Sequence, residues 1–345
     1  MDRRHGARTL VLILVSLILL VLIICQYNTS QKFVSSGKLS ELLEVIDNCA
    51  SSGAGALNNS TEGPGGGIPN IVHQVWKTPD VRTYITELGA SHEAWKTAFE
   101  PLNYTVKLWT DNDVLDLIKT GYPWLLSTYE NYPRNIQRAD LARLAIVHAE
   151  GGIYADLDVY PQNATQTQCL QHLGFQAIFA PTQSGDLGLS NHFFLAEQGS
   201  PFLLWTLHKA KRRAVSASLR VLLPYLNVLW TTGPLMVTAA VREYAWLYSG
   251  AQRLDVGVLD EDRFRREIVW HAAGRSWHGW DGWALNYVAD HTTKTVFMAV
   301  LVVLSVWGLV RLVSRRCSCG DGGPGFGHTK TVLAGSVAVR GFKRV

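Results

Sequence analysis

Two long apolar runs, at residues 9–25 and 295–310, bracket a chain whose other hydrophobic positions recur at short periods. Ile68-Pro69-Asn70-Ile71-Val72-His73-Gln74-Val75-Trp76 reads as a short apolar strand ended by an aromatic. Residues 104–109 alternate with period two, the signature of a second strand. A helical pattern covers about 113–120. A longer one, rich in Ala, Leu and Arg, runs over 134–150 and stops at Gly151-Gly152, as helices often do. The β-branched and aromatic residues of 153–160 then predict a strand. Strands alternating with helices predict an α/β sheet.

The two apolar runs are each at the short end of the roughly 17–25 residues that cross a bilayer. Arg3, Arg4 and Arg8 precede the first, and Arg311, Arg315 and Arg316 follow the second. The positive-inside tendency puts both basic flanks in the cytoplasm and everything between them on the far side. A cleaved signal peptide is the competing reading of the first run, but Gln26, Tyr27 and Asn28 offer no small-residue cleavage site. The expected organisation is a cytoplasmic N-terminus (1–8), a transmembrane helix (9–25), a flexible lumenal stem (26–67), a folded domain (68–290), a second transmembrane helix (295–313) and a cytoplasmic, disordered tail (314–345).

Composition agrees with that division. Charged residues make up 17% of the chain, below the roughly 25% of soluble domains, while hydrophobic residues reach 47%. The net charge of +4 is modest and no long basic run lies between the ends, so nucleic-acid binding gains no support. The region 68–290 carries all the tryptophans except Trp307, which marks it as the packed unit. The tract SSGAGALNNSTEGPGGG before it has linker composition. The glycosylation triplets at Asn28, Asn58, Asn59, Asn103 and Asn163 all fall between the apolar runs. Of five cysteines, Cys49 and Cys169 are the two expected in the lumen, either paired or separate. Cys317 and Cys319 would be juxtamembrane.

The candidate chemistry centres on Asp156 and Asp158. Two residues apart on an extended strand, their carboxylates point the same way and can hold a divalent cation through oxygen. The triplet alone is weak, because Asp111-Asn112-Asp113 and Asp260-Glu261-Asp262 share it. Capping of the helix that follows explains the first of these, and solvated surface the second. Asp156 and Asp158 differ in following an apolar strand, where α/β sheets gather ligands. Upstream, Asp140 and Arg143 share a helix face at i, i+3. Taken alone, that spacing fits a surface ion pair equally well.

In combination these segments (I-P-x-I-x-H-Q-x-W, R-A-D-x-x-R, G-G-I-Y-x-D-x-D) resemble glycosyltransferase family 32, over about residues 68–285. Within it they are most similar to the fungal mannosyltransferases that act on inositol phosphoceramide. The resemblance implies a GT-A-like nucleotide-diphospho-sugar transferase fold, flanked here by the two transmembrane helices. It implies that Asp158 binds the metal directly, with Asp156 contacting the metal shell and the donor's ribose or sugar. Arg138, Asp140 and Arg143 would hold the donor's hydroxyls and diphosphate, and Trp76 would lie near the base. Asn191 would contact the donor sugar, and Thr232-Gly233-Pro234 matches a family turn. The stretch from His271 to His278 resembles a closing loop in which Ser276 and Trp277 meet the donor. There His271 would be a late metal ligand, with His278 the second choice. A turn with two exposed histidines is the plain alternative.

The implied cofactor is Mn²⁺ or Mg²⁺, with GDP-mannose as donor. The implied partners are the nucleotide sugar, a membrane sphingolipid acceptor, the lipid bilayer and a regulatory membrane subunit, with no nucleic acid. The implied reaction retains configuration in the Golgi or endoplasmic reticulum lumen. A cation would stabilise the leaving diphosphate as a Lewis acid, with help from Arg138 or Arg143. An α-mannosyltransferase or UDP-sugar transferase acting on glycoprotein glycans is the rival within the class. A haloacid-dehalogenase-type phosphatase, which also ends a strand in D-x-D, fits less well because Tyr160 stands where that family has Thr or Val.

Overall fold

The computed structural model describes residues 42–47, 67–81, 86–182, 185–248, 255–272 and 277–318. Its centre is a seven-stranded mixed sheet. In chain order the elements are β1 (Glu44–Ile46), β2 (Ile71–Val75), α1 (Thr86–Phe99), β3 (Thr105–Trp109), α2 (Asp111–Gly121), α3 (Pro123–Asn131) and α4 (Asn135–Glu150). They continue with β4 (Gly152–Ala155), β5 (Val159–Pro161), α5 (Ala164–Gln171), β6 (Ala177–Thr182), β7 (Gly185–Ala196), α6 (Pro201–Arg220), α7 (Pro224–Thr231) and α8 (Pro234–Tyr248). Then come β8 (Val256–Leu259), a helical turn at residues 261–268, β9 (Val269–His271), α9 (Trp280–Asp290) and α10 (Thr292–Ser318).

The strand order is β1-β8-β6-β7-β4-β2-β3, with β7 antiparallel to both its neighbours and the other pairs parallel. Strand alternation divides the core into two layers. Tyr154, Phe179 and Phe194 face α2, α3, α4, α6 and α8, whereas Ile153, Ile178, Phe193 and Leu195 face α1, α5 and the turn at 264–268. The central helix α4 buries Leu141, Leu144, Ala145, Ile146 and Val147 completely. Its Gly pair is required by geometry. Gly152 has φ +103°, and a Cβ there would stand 2.5 Å from the Ile71 carbonyl oxygen.

Three expectations change. The segment 26–67 is not all linker, because Glu44–Ile46 adds a parallel edge strand to β8. Leu43 and Ile46 are buried, and that apolar pair anchors it. The strand expected over 153–160 is two strands of different sheets, broken at Asp156–Asp158 by a turn in which the Val159 amide donates to the Asp156 carbonyl (2.9 Å). The third concerns the membrane. Among the described residues no helix is long and apolar enough to cross one. The apolar run of α10 at 295–310 spans about 24 Å at a rise of about 1.5 Å per residue, against a hydrocarbon core of about 30 Å. The expected span at 295–313 is thus not met by this helix, and the run at 9–25 lies outside the described residues. The chain separates into two compact units, one ending at Trp283 and the other starting at Ala284.

Candidate active site

Strand β2 is reached from opposite sides. The chain leaves it to build β3 on one flank, then returns through α2, α3 and α4 to build β4 on the other. Such a reversal opens a crevice at the carboxyl ends of the strands. The parallel register pairs Val72 with Ile153 and His73 with Tyr154. Trp76 follows the carboxyl end of β2 directly, and the Asp156–Asp158 turn follows that of β4. The Trp76 amide is held by the Trp109 carbonyl (2.9 Å), and the Lys77 ammonium lies 5.5 Å from the Trp76 ring.

The turn gives the two aspartates different surroundings. Asp156, with its amide on the His192 carbonyl (2.9 Å), faces inward to Arg143. Arg143 Nη1 donates to Asp156 Oδ2 and Nη2 lies against Oδ1, both at 3.1 Å, a bidentate pair. Tyr154 Oη donates to the same Oδ1 (2.8 Å). Arg143 also reaches the Asn191 carbonyl (2.9 Å) and Asp140 (3.3 Å). Asp140 in turn accepts from Asn191 Nδ2 (3.0 Å) and from Thr232 Oγ1 (2.9 Å). Asp140 and Arg143 are therefore a buried pair and not the surface pair that their spacing also allowed. Three sequence segments read separately, R-A-D-x-x-R, Asn191 and Thr232-Gly233-Pro234, meet on one carboxylate.

The charges follow from this packing. Burial raises the pKa of Asp140, opposed by Arg143. Burial likewise lifts Asp156 to about 6, with Arg143 pulling it down and Asp158 pushing it up. Burial works against the charge on Arg143, yet Asp156, Tyr154 and Asp140 outweigh it and hold the guanidinium protonated.

Asp158 belongs to the other side of the turn. Strands β5 and β9 pair as a small antiparallel ribbon with Val159 opposite His271. The Ala272 amide donates to the Asp158 carbonyl (2.8 Å). The ribbon brings His271 Nε2 to 3.4 Å from Asp158 Oδ2. Burial lowers the His271 pKa, but the bond and charge of Asp158 outweigh it, so the net shift is upward. His271 also stacks on His192 (4.4 Å between ring centres, 13° between planes).

The remaining expected residues have other partners or fall outside the described residues. Arg138 bonds Asn135 Oδ1 (2.5 Å) on its own helix. Trp277 stacks on Tyr225 (5.1 Å) and His278 meets the same ring edge-on (4.8 Å). Ser276 falls outside the described residues. Asp111-Asn112-Asp113 starts α2, where Asp113 and Thr110 form a reciprocal cap.

Two residues went unread in the sequence. Tyr154 was readable, since it lies two positions before Asp156 on the strand side that faces Arg143. His192 gave no signal, because only the tertiary fold brings it beneath His271. A further buried group, His73, is satisfied at both nitrogens. Nε2 donates to the Gly151 carbonyl (2.8 Å), and Nδ1 accepts from Trp109 Nε1 (3.1 Å).

Whether this site fits a cation can be judged from its donors. Among the described residues no group of three His, Cys, Asp or Glu side chains is arranged to hold a metal. Asp156, expected on the metal, has both oxygens turned to Arg143 and Tyr154. Asp158 Oδ2 and His271 Nε2 do fit: ligand atoms about 2.1 Å from one ion stand roughly 3 Å apart. A site built from one or two protein ligands is usual where substrate phosphates and water complete the shell.

An acidic turn at the carboxyl edge of an α/β sheet is where ligands gather in such folds. The family described as "Glycosyltransferase sugar-binding region containing DXD motif" matches residues 82–177. The chain is 31% identical over 73% of its length, and 68% of the relative's, to inositol phosphoceramide mannosyltransferase 3 of Schizosaccharomyces pombe. Inositol phosphoceramide mannosyltransferase 1 of the same yeast is 25% identical over 84% of this chain and 86% of its own. Mannosyl phosphorylinositol ceramide synthase SUR1 of Saccharomyces cerevisiae is 32% identical over 51% of this chain and 42% of its own. Among solved structures, the PaToxG glycosyltransferase covers 67% of this chain and 86% of its own at 15% identity, with a TM-score of 0.39. The chain belongs to glycosyltransferase family 32 and is a glycosyltransferase.

Proposed function

We propose that the protein transfers mannose from GDP-mannose to the inositol headgroup of inositol phosphoceramide, with retention and with a divalent cation, in a GT-A-like fold. The observation that carries the cation is the Asp158–His271 pair at 3.4 Å, beside an Asp156 whose oxygens are turned to Arg143 and Tyr154. The names of the relatives support the donor sugar and the lipid acceptor.

In this reading Asp158 and His271 would hold Mn²⁺ or Mg²⁺, and the ion would supply Lewis-acid stabilisation of the departing diphosphate. Asp156 takes the donor sugar's hydroxyls, held rigid by Arg143 and Tyr154, so no reorganisation is needed when the bond breaks. Asp140, Asn191 and Thr232 fix Arg143 in turn. Trp76 borders the base, and Arg138 and Trp277 contact the donor, as the family resemblance implies. Displacement occurs on the same face that the diphosphate leaves.

The proposed setting is a Golgi or endoplasmic reticulum membrane. Cys169 is disulfide-bonded, which suits an oxidising lumen. On α10, Val296, Phe297, Met298, Val300, Leu301 and Leu304 are exposed, which suits contact with lipid.

A panel of GDP- and UDP-sugars, assayed with the full-length protein and inositol phosphoceramide vesicles with and without Mn²⁺, tests the reading. Mannosylated lipid formed only with GDP-mannose and cation is the expected result. Transfer to a glycoprotein glycan and not to lipid would overturn the acceptor. The 28% identity over 95 residues to an initiation-specific α-1,6-mannosyltransferase makes that the rival to include.

A further inference from the structure

The proposed cation site has two arms, the turn that carries Asp158 and the strand that carries His271. One is the turn after β4 and the other is β9 of the ribbon. His192, on β7, touches both. Its backbone carbonyl accepts the Asp156 amide (2.9 Å), which fixes the start of the D-x-D turn. Its ring lies flat beneath His271, 4.4 Å away and 13° from parallel.

The rest of its surroundings hold that ring still. Nδ1 pairs with Ser190 Oγ two residues back on the same strand, and Phe264 closes one side edge-on at 5.6 Å. Nε2 is buried with no hydrogen-bond partner among the described residues.

We infer that His192 is the positioning residue of the cation site, its ring serving as the surface that orients His271 toward Asp158. The ring is the working part. Buried and bonded through Nδ1, it presents a face fixed in plane. Side chains that orient a metal-binding histidine typically change affinity about 10–100-fold when removed. The inference rests on Asp158 and His271 being the cation ligands.

The test uses the full-length protein and Mn²⁺ alone. Mn²⁺ binding is followed by electron paramagnetic resonance, with electron spin echo modulation reporting imidazole nitrogen on the ion. Three variants are compared with wild type: Asp158→Asn, His192→Phe and His192→Leu. Phe keeps a flat ring without nitrogen, while Leu fills the volume without a ring. The expected result is affinity within about threefold for His192→Phe, with nitrogen modulation retained. His192→Leu should lose about tenfold and its modulation. Thermal unfolding of each variant shows that the chain is folded. If Phe and Leu both bind as wild type, or if Phe falls as far as Leu, the positioning role is overturned while a loss in Asp158→Asn leaves the cation site standing. If Asp158→Asn binds Mn²⁺ undiminished, the site itself is wrong and this inference falls with it.

Discussion

Asp156 and Asp158 are separated by one residue and live in opposite circumstances. Asp156 accepts from three donors on two side chains, Arg143 and Tyr154, and behind them Asp140, Asn191 and Thr232 complete a closed buried network. Asp158 meets His271 at the edge of a two-stranded ribbon, where both side chains are 20–29% exposed. A single turn, closed by the Val159 amide, separates the two regimes. Asp156 is tied into a buried network, whereas Asp158 sits with His271 at a partly exposed edge. Substitutions in the first region should therefore appear in stability, and those in the second in catalysis.

The largest effect is expected from breaking the closed side. Arg143→Leu leaves Asp140 and Asp156 without their cation in a buried setting. Removing one partner of such a pair costs about 3–5 kcal/mol. Urea unfolding should show that loss, with activity falling because the chain is less folded and Asp156 is misplaced. If Arg143→Leu unfolds at the wild-type urea concentration, the network is not structural.

Next comes the open side. Asp158→Asn should lower kcat by about 10²–10³, the scale of one lost electrostatic stabiliser, about 2.7–4 kcal/mol. Urea stability should change by less than about 0.5 kcal/mol. Excess chelator should reproduce the loss in wild type, and Asp111→Asn, at the cap of α2, should leave turnover nearly intact. Turnover unaffected by chelator would remove the cation from the proposal.

How much of this was legible beforehand depended on the range of each contact. Helix α4, the Gly pair and the D-x-D placement followed from local periodicity and turn chemistry. The break at Asp156–Asp158 was not visible, because Ile153, Tyr154, Val159 and Tyr160 all read as strand and no Gly or Pro interrupts them. The two carboxylates thus owe their placement to a turn and not to strand alternation. The saturation of Asp156 was hidden as well. It requires Arg143 to be buried, and i, i+3 spacing says nothing about burial. His192 was invisible because its partners are 34 residues or more away in sequence, except for Ser190.

A third expectation extends the contrast to pH. His73 belongs with the closed groups: both nitrogens are bonded in the neutral ring, and a second proton at Nδ1 would confront the Trp109 N–H. Burial holds its pKa at about 4, against 6.5 unfolded. Its stabilising contribution is present in full above pH 6.5 and is lost as pH falls toward 4, because the unfolded chain takes up the proton first. That loss amounts to about 3 kcal/mol. Urea unfolding between pH 7 and 4 should show the slope, and His73→Gln should flatten it. An equal slope in the variant would assign the acid sensitivity elsewhere.

The smallest effect tests how far the closed network is redundant. Tyr154→Phe deletes one donor to Asp156 Oδ1 and keeps the ring that stacks on Phe194 (5.6 Å) and lies under the Arg143 guanidinium (5.0 Å). Arg143 still holds both carboxylate oxygens, so no acceptor is stranded. The cost should be about 1 kcal/mol, the net worth of one hydrogen bond. A second consequence separates this variant from a packing defect. The Tyr154 hydroxyl favours the ionised carboxylate, so without it the Asp156 pKa should rise above its present value of about 6. The acid limb of the kcat profile should then shift to higher pH, while the rate on the alkaline side stays near wild type. A uniform fall in kcat across pH would mean that the hydroxyl touches the substrate itself, and the line between the closed and open aspartates would have to be redrawn.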